Sequence, residues 1–216
     1  MTAFPQHLID GYRTFTSQRL PTEQTRYKEL SERGQSPAVM LIGCSDSRVS
    51  PEVIFDAGPG ELFVVRNVAN LVPTFQPDEN AHGVSAALEY AVQVLKIKHI
   101  VVMGHAQCGG IKAFIDDSAP LSPGDFIGKW MAMFIKPGEQ VSQRAHESRQ
   151  EFTTRIEKAA VFRSLENLMT FPFVRKLVER NELHLHGAYF GVAEGSLFVL
   201  DKGAKEFRSV RELVSE

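Results

Sequence analysis

Residues 38–48, AVMLIGCSDSR, constrain the fold of this chain more than any other segment. Six apolar or small residues are followed abruptly by a thiol, a carboxylate and a guanidinium, on Cys44, Asp46 and Arg48. A short continuous apolar run of this kind is typical of a strand buried on both faces of a parallel sheet. Because side chains alternate along a strand, we predict that these three polar groups point the same way at a sheet edge.

The rest of the pattern indicates one α/β domain with a mostly parallel central sheet flanked by helices. Helical spacing recurs in residues 1–34 on both sides of Pro21, which predicts two helices that could pack on their own core or on a neighbouring subunit. We predict that residues 1–216 form a single domain, with residues 1–34 as a helical arm and residues 35–216 as the core. Further strands are predicted at 62–65, 99–103, 183–190 and 197–200, with a hairpin turn at Glu194-Gly195, and helices at 80–98, from 111, and within 126–173.

Composition excludes several classes of function. A net charge of -2 gives no electrostatic basis for binding nucleic acid or an acidic membrane surface. No apolar run approaches the roughly 20 residues of a membrane span, and the first 37 residues are too polar for a signal peptide, so we expect a cytoplasmic protein. The 2 cysteines exclude a disulfide framework, although they leave a single bridge open.

A second strand also ends in chemistry-bearing side chains. The run HIVVM at 99–103 leads into His105 and Cys108, and a helix follows, so the pattern is strand, tight turn and helix. Ligand sites in such sheets lie at the carboxyl ends of the strands, where Cys44 and Asp46 are also expected. Two thiols, an imidazole and a carboxylate suit zinc in a tetrahedral site. Each residue alone is more often structural, and a Cys44–Cys108 disulfide is the other alternative, but it leaves the remaining polar groups unexplained.

Four motifs together resemble the β class of carbonic anhydrases: CSDSRV at 44–49, RNVAN at 66–70, EYAV at 89–92 and GHxxCGG at 104–110. The resemblance implies a zinc-dependent carbonate dehydratase with one Zn²⁺ per chain on Cys44, His105 and Cys108. Asp46 would complete the shell in a closed state only, and Arg48 would draw it away in the open state. The family also implies a homodimer or homotetramer in which the N-terminal helices pack on a partner subunit.

Within the class, the chain is more similar to the plant-like branch. Residues that match the family's substrate pocket are Gln35, Phe63, Val68 and Tyr90. The bicarbonate-inhibited branch has a tryptophan where Leu41 stands, so that inhibitory site is not carried over.

The resemblance implies that zinc-bound hydroxide attacks CO2 to give bicarbonate and a proton. Asp46 would orient the hydroxide, while Gln35 and backbone N–H groups near Gly109 would bind the product oxygens. Thiolates donate more charge than imidazoles, so we predict a zinc-water pKa above neutral and an activity that rises with pH. Two alternatives remain open: a related heterocumulene such as carbon disulfide as substrate, or a non-catalytic zinc- or anion-binding protein. The Asp46–Arg48 pair speaks against the last, because a permanently structural site needs no gate.

Overall fold

The computed structural model describes residues 4–116, 120–135 and 141–213. Within these residues the chain forms one six-stranded sheet in the order β2-β1-β3-β4-β5-β6. Its strands are β1 (Val39–Cys44), β2 (Leu62–Asn67), β3 (His99–His105), β4 (His184–Gly191), β5 (Ser196–Asp201) and β6 (Glu206–Ser209). The first four strands are mutually parallel, and β5 and β6 add an antiparallel extension at one edge. The predicted α/β fold with a mostly parallel sheet is therefore confirmed.

Helices connect and cover the strands. They are α1 (Gln6–Thr14), α2 (Leu20–Arg33), α3 (Pro51–Ile54), α4 (Gly83–Glu89), α5 (Gly109–Ile115), α6 (Phe126–Ala132), α7 (Arg149–Leu168), α8 (Pro172–Glu179) and α9 (Val210–Leu213). Ser148 and Glu151 cap the start of α7 reciprocally, and Pro172 opens α8. Gly195, at a φ of 58°, provides the predicted turn between β4 and β5. No described helix combines the length and the apolar character needed to cross a bilayer.

The main core lies on one face of the sheet. Met40 and Ile42 of β1 and Ile100 of β3 point to this face, where they meet α4, α7 and α8. Each fully buried side chain of this size stabilises the fold by roughly 2 kcal/mol. A second cluster surrounds the carboxyl ends of β1 and β3, and it includes both cysteines together with residues of α5, α6 and α7. The ends of these two strands are therefore buried and held rigidly by three helices.

The N-terminal arm differs from the prediction of two separate helices. Helical backbone continues from Gln6 to Arg33, with a wider π turn at Phe15–Arg19 joining α1 to α2. Pro21 lacks an N–H and its ring conflicts with the carbonyl four residues earlier, and the wider turn just before it relieves both problems. Sequence periodicity alone does not show such a turn, so Pro21 is wrongly expected to end a helix.

The arm makes few contacts with its own core, and neither α1 nor α2 contains a buried residue. Arg26 donates a hydrogen bond from Nε to the carbonyl oxygen of Pro59 at 3.3 Å, and Leu30 packs against Gly60. Leu8 and Tyr12 stay 50% and 67% exposed. The arm therefore offers apolar side chains that the described core does not cover.

Several boundaries also differ. β2 runs to Asn67 instead of ending at Val65, while α3, β6 and α9 were not predicted. The expected helical region 126–173 is interrupted, because residues 141–146 are irregular. The composition of residues 116–125 predicts a surface loop, and its residues 117–119 lie outside the described part of the chain, as do residues 136–140.

Candidate metal centre

Two adjacent strands bring the predicted ligands together. β1 and β3 are hydrogen-bonded neighbours in parallel, so Cys44 and His105 reach the same edge of the sheet. Ala106 and Gln107 turn the chain, and Cys108 then occupies the position just before the first residue of α5. The Sγ atoms of Cys44 and Cys108 lie 3.9 Å apart, and one ligand atom from each of the three residues lies within 4.8 Å of the others. Both cysteines are free, so the alternative of a disulfide is not formed.

The donor set fits a zinc ion. His105 Nδ1 lies 2.9 Å from the carbonyl oxygen of Ala106, which makes it the protonated nitrogen, and the buried Nε2 has no hydrogen-bond partner. An unpaired buried nitrogen is costly, and here its lone pair is left available to a metal. Two Zn–S bonds of about 2.3 Å in tetrahedral geometry require sulfurs about 3.8 Å apart, close to the observed spacing. The arrangement therefore provides two thiols and an imidazole in the positions that zinc needs.

The two thiols behave as a pair that shares one proton. The hydrogen bond from Cys108 holds the pKa of Cys44 well below its usual range. The same hydrogen bond, together with burial, raises the pKa of Cys108. A bound cation favours the deprotonated form of both groups, so this site is primed to release a proton when a metal enters.

Asp46 and Arg48 meet in a turn and not along a strand. β1 ends at Cys44, so the predicted alternation of three side chains does not continue past that residue. Arg48 donates to Asp46 Oδ1 from its backbone N–H at 3.0 Å and from Nε at 2.9 Å, and to Oδ2 from Nη2 at 2.7 Å. These bonds hold the pKa of Asp46 well below its usual range. Its carboxylate is thus paired with Arg48, outside the cluster of three close ligand atoms.

Arg66 fixes the backbone of this turn, a role that the sequence analysis missed. Its Nε donates to the carbonyl oxygen of Cys44 at 2.9 Å, and its Nη2 donates to that of Asp46 at 2.6 Å. Ser45 N–H is bonded to the carbonyl oxygen of Asn67 at 2.8 Å. The available signal was the position of Arg66 near the end of a strand adjacent to β1.

Two of the predicted pocket residues lie beside the ligand cluster. Val68 follows β2 in a 3-10 turn (Val68–Asn70), and a Cβ on Gly110 would approach its Cγ1 to 2.4 Å. Gly109 directly follows Cys108, and a Cβ there would meet nothing within 4 Å. The start of α5 thus packs tightly against Val68 while it leaves open space beside Gly109.

The other three pocket residues lie toward the opposite end of the sheet. Phe63 pairs with Met40, four residues before Cys44, which corresponds to about 13 Å along the strand. The ring of Tyr90 lies 6.0 Å from that of Phe63 and is 45% exposed. Gln35 is exposed and precedes β1. One chain therefore does not bring these residues to its own ligand cluster.

Glu157 of α7 is a further buried charged group that sequence reasoning missed. It is 2% exposed, and Oε1 accepts a hydrogen bond from the backbone N–H of Cys108 at 3.0 Å. Burial raises the pKa of its carboxyl group. The only signal in the sequence was a carboxylate placed next to Ile156 on the apolar stripe of a helix.

A parallel sheet that gathers two thiols and an imidazole at its strand ends defines an α/β protein with a candidate zinc centre. The family model described as carbonic anhydrase matches residues 39–197. The chain therefore belongs to the carbonic anhydrase family, and its likeness to β-class members confirms the resemblance seen in its motifs.

Individual relatives agree. A carbonic anhydrase of Pseudomonas aeruginosa is 36% identical over 205 residues, covering 95% of this chain and 91% of the relative. Beta carbonic anhydrase 3 of Arabidopsis thaliana is 35% identical over 194 residues, covering 88% of this chain and 74% of the relative. Among solved structures, the β-carbonic anhydrase CcaA matches with a TM-score of 0.85 at 27% identity, over 94% of this chain and 91% of that one. A structure from a pair of tetrameric β-carbonic anhydrases of Sordaria macrospora also matches, with a TM-score of 0.76 at 28% identity, over 90% of this chain and 95% of that one.

Proposed function

We propose that this protein catalyses the reversible hydration of CO2 to bicarbonate and a proton, as a zinc-dependent lyase with one ion on Cys44, His105 and Cys108. The observation that carries the proposal is the unpartnered Nε2 of His105, which faces two thiols spaced as zinc ligands. When bound, zinc supplies hydroxide by lowering the pKa of coordinated water far below that of bulk water. Family membership supports the choice of CO2 as substrate.

Asp46 and Arg48 act as the gate of this proposed site. Zinc with two thiolates and a neutral imidazole is formally uncharged, so a fourth bond to Asp46 would make the site anionic. Arg48 competes for the same carboxylate with three hydrogen bonds. In that open arrangement Asp46 accepts a hydrogen bond from the attacking nucleophile and orients it toward the carbon of CO2. Asp46 is a metal ligand only in the closed arrangement.

The substrate pocket is shared between two subunits in this proposal. Each chain supplies Val68 and the backbone N–H groups near Gly109 beside its own cluster, while Gln35, Phe63 and Tyr90 complete the pocket of a partner. The distance of Phe63 from Cys44 along the sheet and the exposure of Tyr90 support this division. The uncovered apolar residues of the arm support its packing on the same partner, in a homodimer or homotetramer.

Mixing two variants tests the shared pocket. Tyr90→Ala alone is expected to lower kcat/KM for CO2 about tenfold, because a misplaced substrate reacts less often. Adding inactive His105→Ala protein under subunit exchange should restore activity, since a mixed dimer combines an intact metal cluster with an intact Tyr90. Val94→Ala is the control and needs no rescue, because Val94 lies with Tyr90 in a π turn after α4 (Tyr90–Val94) and is 59% exposed. No gain on mixing, with exchange verified by native mass spectrometry, would show that Tyr90 acts within its own chain.

Stopped-flow CO2 hydration on zinc-loaded protein tests the activity itself. We expect the rate to rise with pH between roughly 6 and 9, because two thiolate ligands weaken the Lewis acidity of the ion. Asp46 remains ionised throughout this range, since Arg48 holds its pKa low, so its protonation contributes nothing to the rise. A flat profile, or one highest at the acid end, would contradict the proposal.

The same instrument separates the two alternatives raised by the sequence. Turnover of carbon disulfide in place of CO2 would assign another heterocumulene as substrate. Stoichiometric zinc without turnover of either compound would indicate a non-catalytic metal or anion site.

A further inference from the structure

The turn that carries two of the three candidate ligands, residues 105–108, is held by a hydrogen bond at each of its peptide groups. We call it the ligand turn. Ala106 N–H donates to the carbonyl oxygen of Phe190 at 2.9 Å, and the carbonyl oxygen of Gln107 accepts from Arg48 Nη2 at 3.0 Å. Cys108 N–H donates to Glu157 Oε1 at 3.0 Å. Gln107 has a φ of 57°, a left-handed backbone that a non-glycine residue keeps only when its surroundings enforce it.

Glu157 is the side chain that bonds to the backbone N–H of Cys108, one of the candidate ligands in the ligand turn. Its second oxygen, Oε2, accepts a hydrogen bond from the hydroxyl of Tyr189 at 2.7 Å, so both carboxylate oxygens are engaged. Tyr189 is 4% exposed and lies on β4, opposite Gly104 of the strand that ends in His105. The carboxylate is thus fixed between a helix, a strand and the ligand turn.

A buried carboxylate at this position is costly for folding. Glu157 lies among apolar residues of α7 such as Ile156 and Ala160, where an apolar side chain of similar volume would pack without desolvating a charge. The described structure places no lysine or arginine in an ion pair with it. The bonds to Cys108 and Tyr189 offset part of this cost, and the first of them ties the carboxylate to the ligand turn, which points to a role in holding that turn.

We propose that Glu157 is a positioning residue for the metal centre, which fixes Cys108 through its backbone N–H and so keeps the Cys108 thiolate in place to retain zinc. This inference rests on the proposed zinc site. Glu157 acts through Cys108, since it is not among the three residues whose ligand atoms cluster. Its effect is on metal retention, because a freed Cys108 would lose the 3.9 Å spacing from Cys44 that suits two zinc–sulfur bonds.

Two substitutions at Glu157 separate geometry from charge. Glu157→Gln keeps one oxygen to accept from Cys108 N–H, and its amide N–H can donate to the hydroxyl oxygen of Tyr189. Glu157→Met has a similar volume and no strong acceptor, so it leaves the Cys108 N–H unpaired. If the role of Glu157 is positional, the glutamine variant rescues metal binding and the methionine variant does not.

Zinc affinity is measured by competition with a chromophoric chelator on the full chain, and the Co²⁺-substituted proteins are compared by the intensity of their thiolate-to-cobalt absorption. We expect Glu157→Met to bind zinc about 10- to 100-fold more weakly and to lose cobalt absorption, and Glu157→Gln to stay within about threefold of the native chain. Tyr189→Phe should weaken binding in the same direction by a smaller factor. Leu168→Ala controls for loss of packing and should leave affinity unchanged, because Leu168 is buried farther along α7 in the main core and not in the cluster around the cysteines.

If Glu157→Met binds zinc with unchanged affinity and shows unchanged cobalt absorption, the inference is wrong. If Glu157→Met does not fold, unchanged affinity and absorption in Tyr189→Phe would refute it instead. A native chain that binds zinc without hydrating CO2 would refute the proposed activity, but it would leave this comparison of affinities valid. A native chain that binds no zinc would overturn both.

Discussion

Replacing His105 with alanine is expected to remove the bound zinc and to lower CO2 hydration by about 10³-fold or more. The substitution deletes the only imidazole of the cluster and leaves two thiols, which cannot alone hold the ion in a tetrahedral site. Without the ion, the chain has no means of generating hydroxide at neutral pH. Metal content by inductively coupled plasma mass spectrometry and hydration rate by stopped flow measure the two effects on the same sample.

The matched control is His99→Ala. His99 begins the same strand, β3, and its ring contacts His184 and His186 at the far end of the sheet from Cys44. We expect this variant to keep one zinc per chain and full activity. Retention of stoichiometric zinc and native activity in His105→Ala would remove the proposed centre from the mechanism.

Asp46→Asn is the second substitution with a large expected effect. It should lower the hydration rate by about 10²- to 10⁴-fold while zinc content stays near one per chain, because the three close ligands are untouched. The neutral amide accepts a hydrogen bond at one atom only, so it orients the nucleophile poorly and pairs weakly with Arg48.

Arg48→Ala should also inactivate the enzyme, but for the opposite reason. Without the guanidinium, the carboxylate of Asp46 is free to take the fourth zinc position, and zinc should dissociate more slowly than from the native chain. The control is Glu52→Gln. Glu52 lies in α3 and accepts a hydrogen bond from the hydroxyl of Ser50, so this variant should keep the native activity and zinc dissociation rate. Native activity in both Asp46→Asn and Arg48→Ala would eliminate the gate.

The sequence predicted the centre of the fold well because the decisive signals are local. An apolar strand that ends at Cys44 and a strand–turn–helix around His105 are both continuous in the chain, and the rule that ligands collect at carboxyl strand ends joins them. The family motifs also predicted a set of residues for the substrate pocket. They did not indicate that Phe63 and Tyr90 lie far from the ligand cluster of their own chain, because a sequence motif does not report the distance between two residues in the fold.

The supporting contacts escaped prediction because they join distant parts of the chain. Glu157 lies 49 residues from Cys108, and nothing near it in sequence shows that its carboxylate reaches a backbone N–H of the ligand turn. The same holds for Arg66, which is 22 residues from Cys44. Pro21 gave the opposite kind of error. Proline is a strong local signal for the end of a helix, but the π turn that precedes Pro21 lets the helical backbone continue.

The anchored turn after β1 has a consequence for the speed of the proposed gate. The carbonyl oxygens of Cys44 and Asp46 are bonded to Arg66, and Ser45 N–H is bonded to Asn67, so the main chain beneath the carboxylate is fixed on both sides. Asp46 can therefore move between Arg48 and a metal only by rotating its own side-chain torsions. Such rotations take picoseconds to nanoseconds for accessible side chains, whereas loop movements extend to microseconds. Exchange between the two arrangements is then limited by breaking the Arg48 pair, and no slow rearrangement of the backbone stands between them.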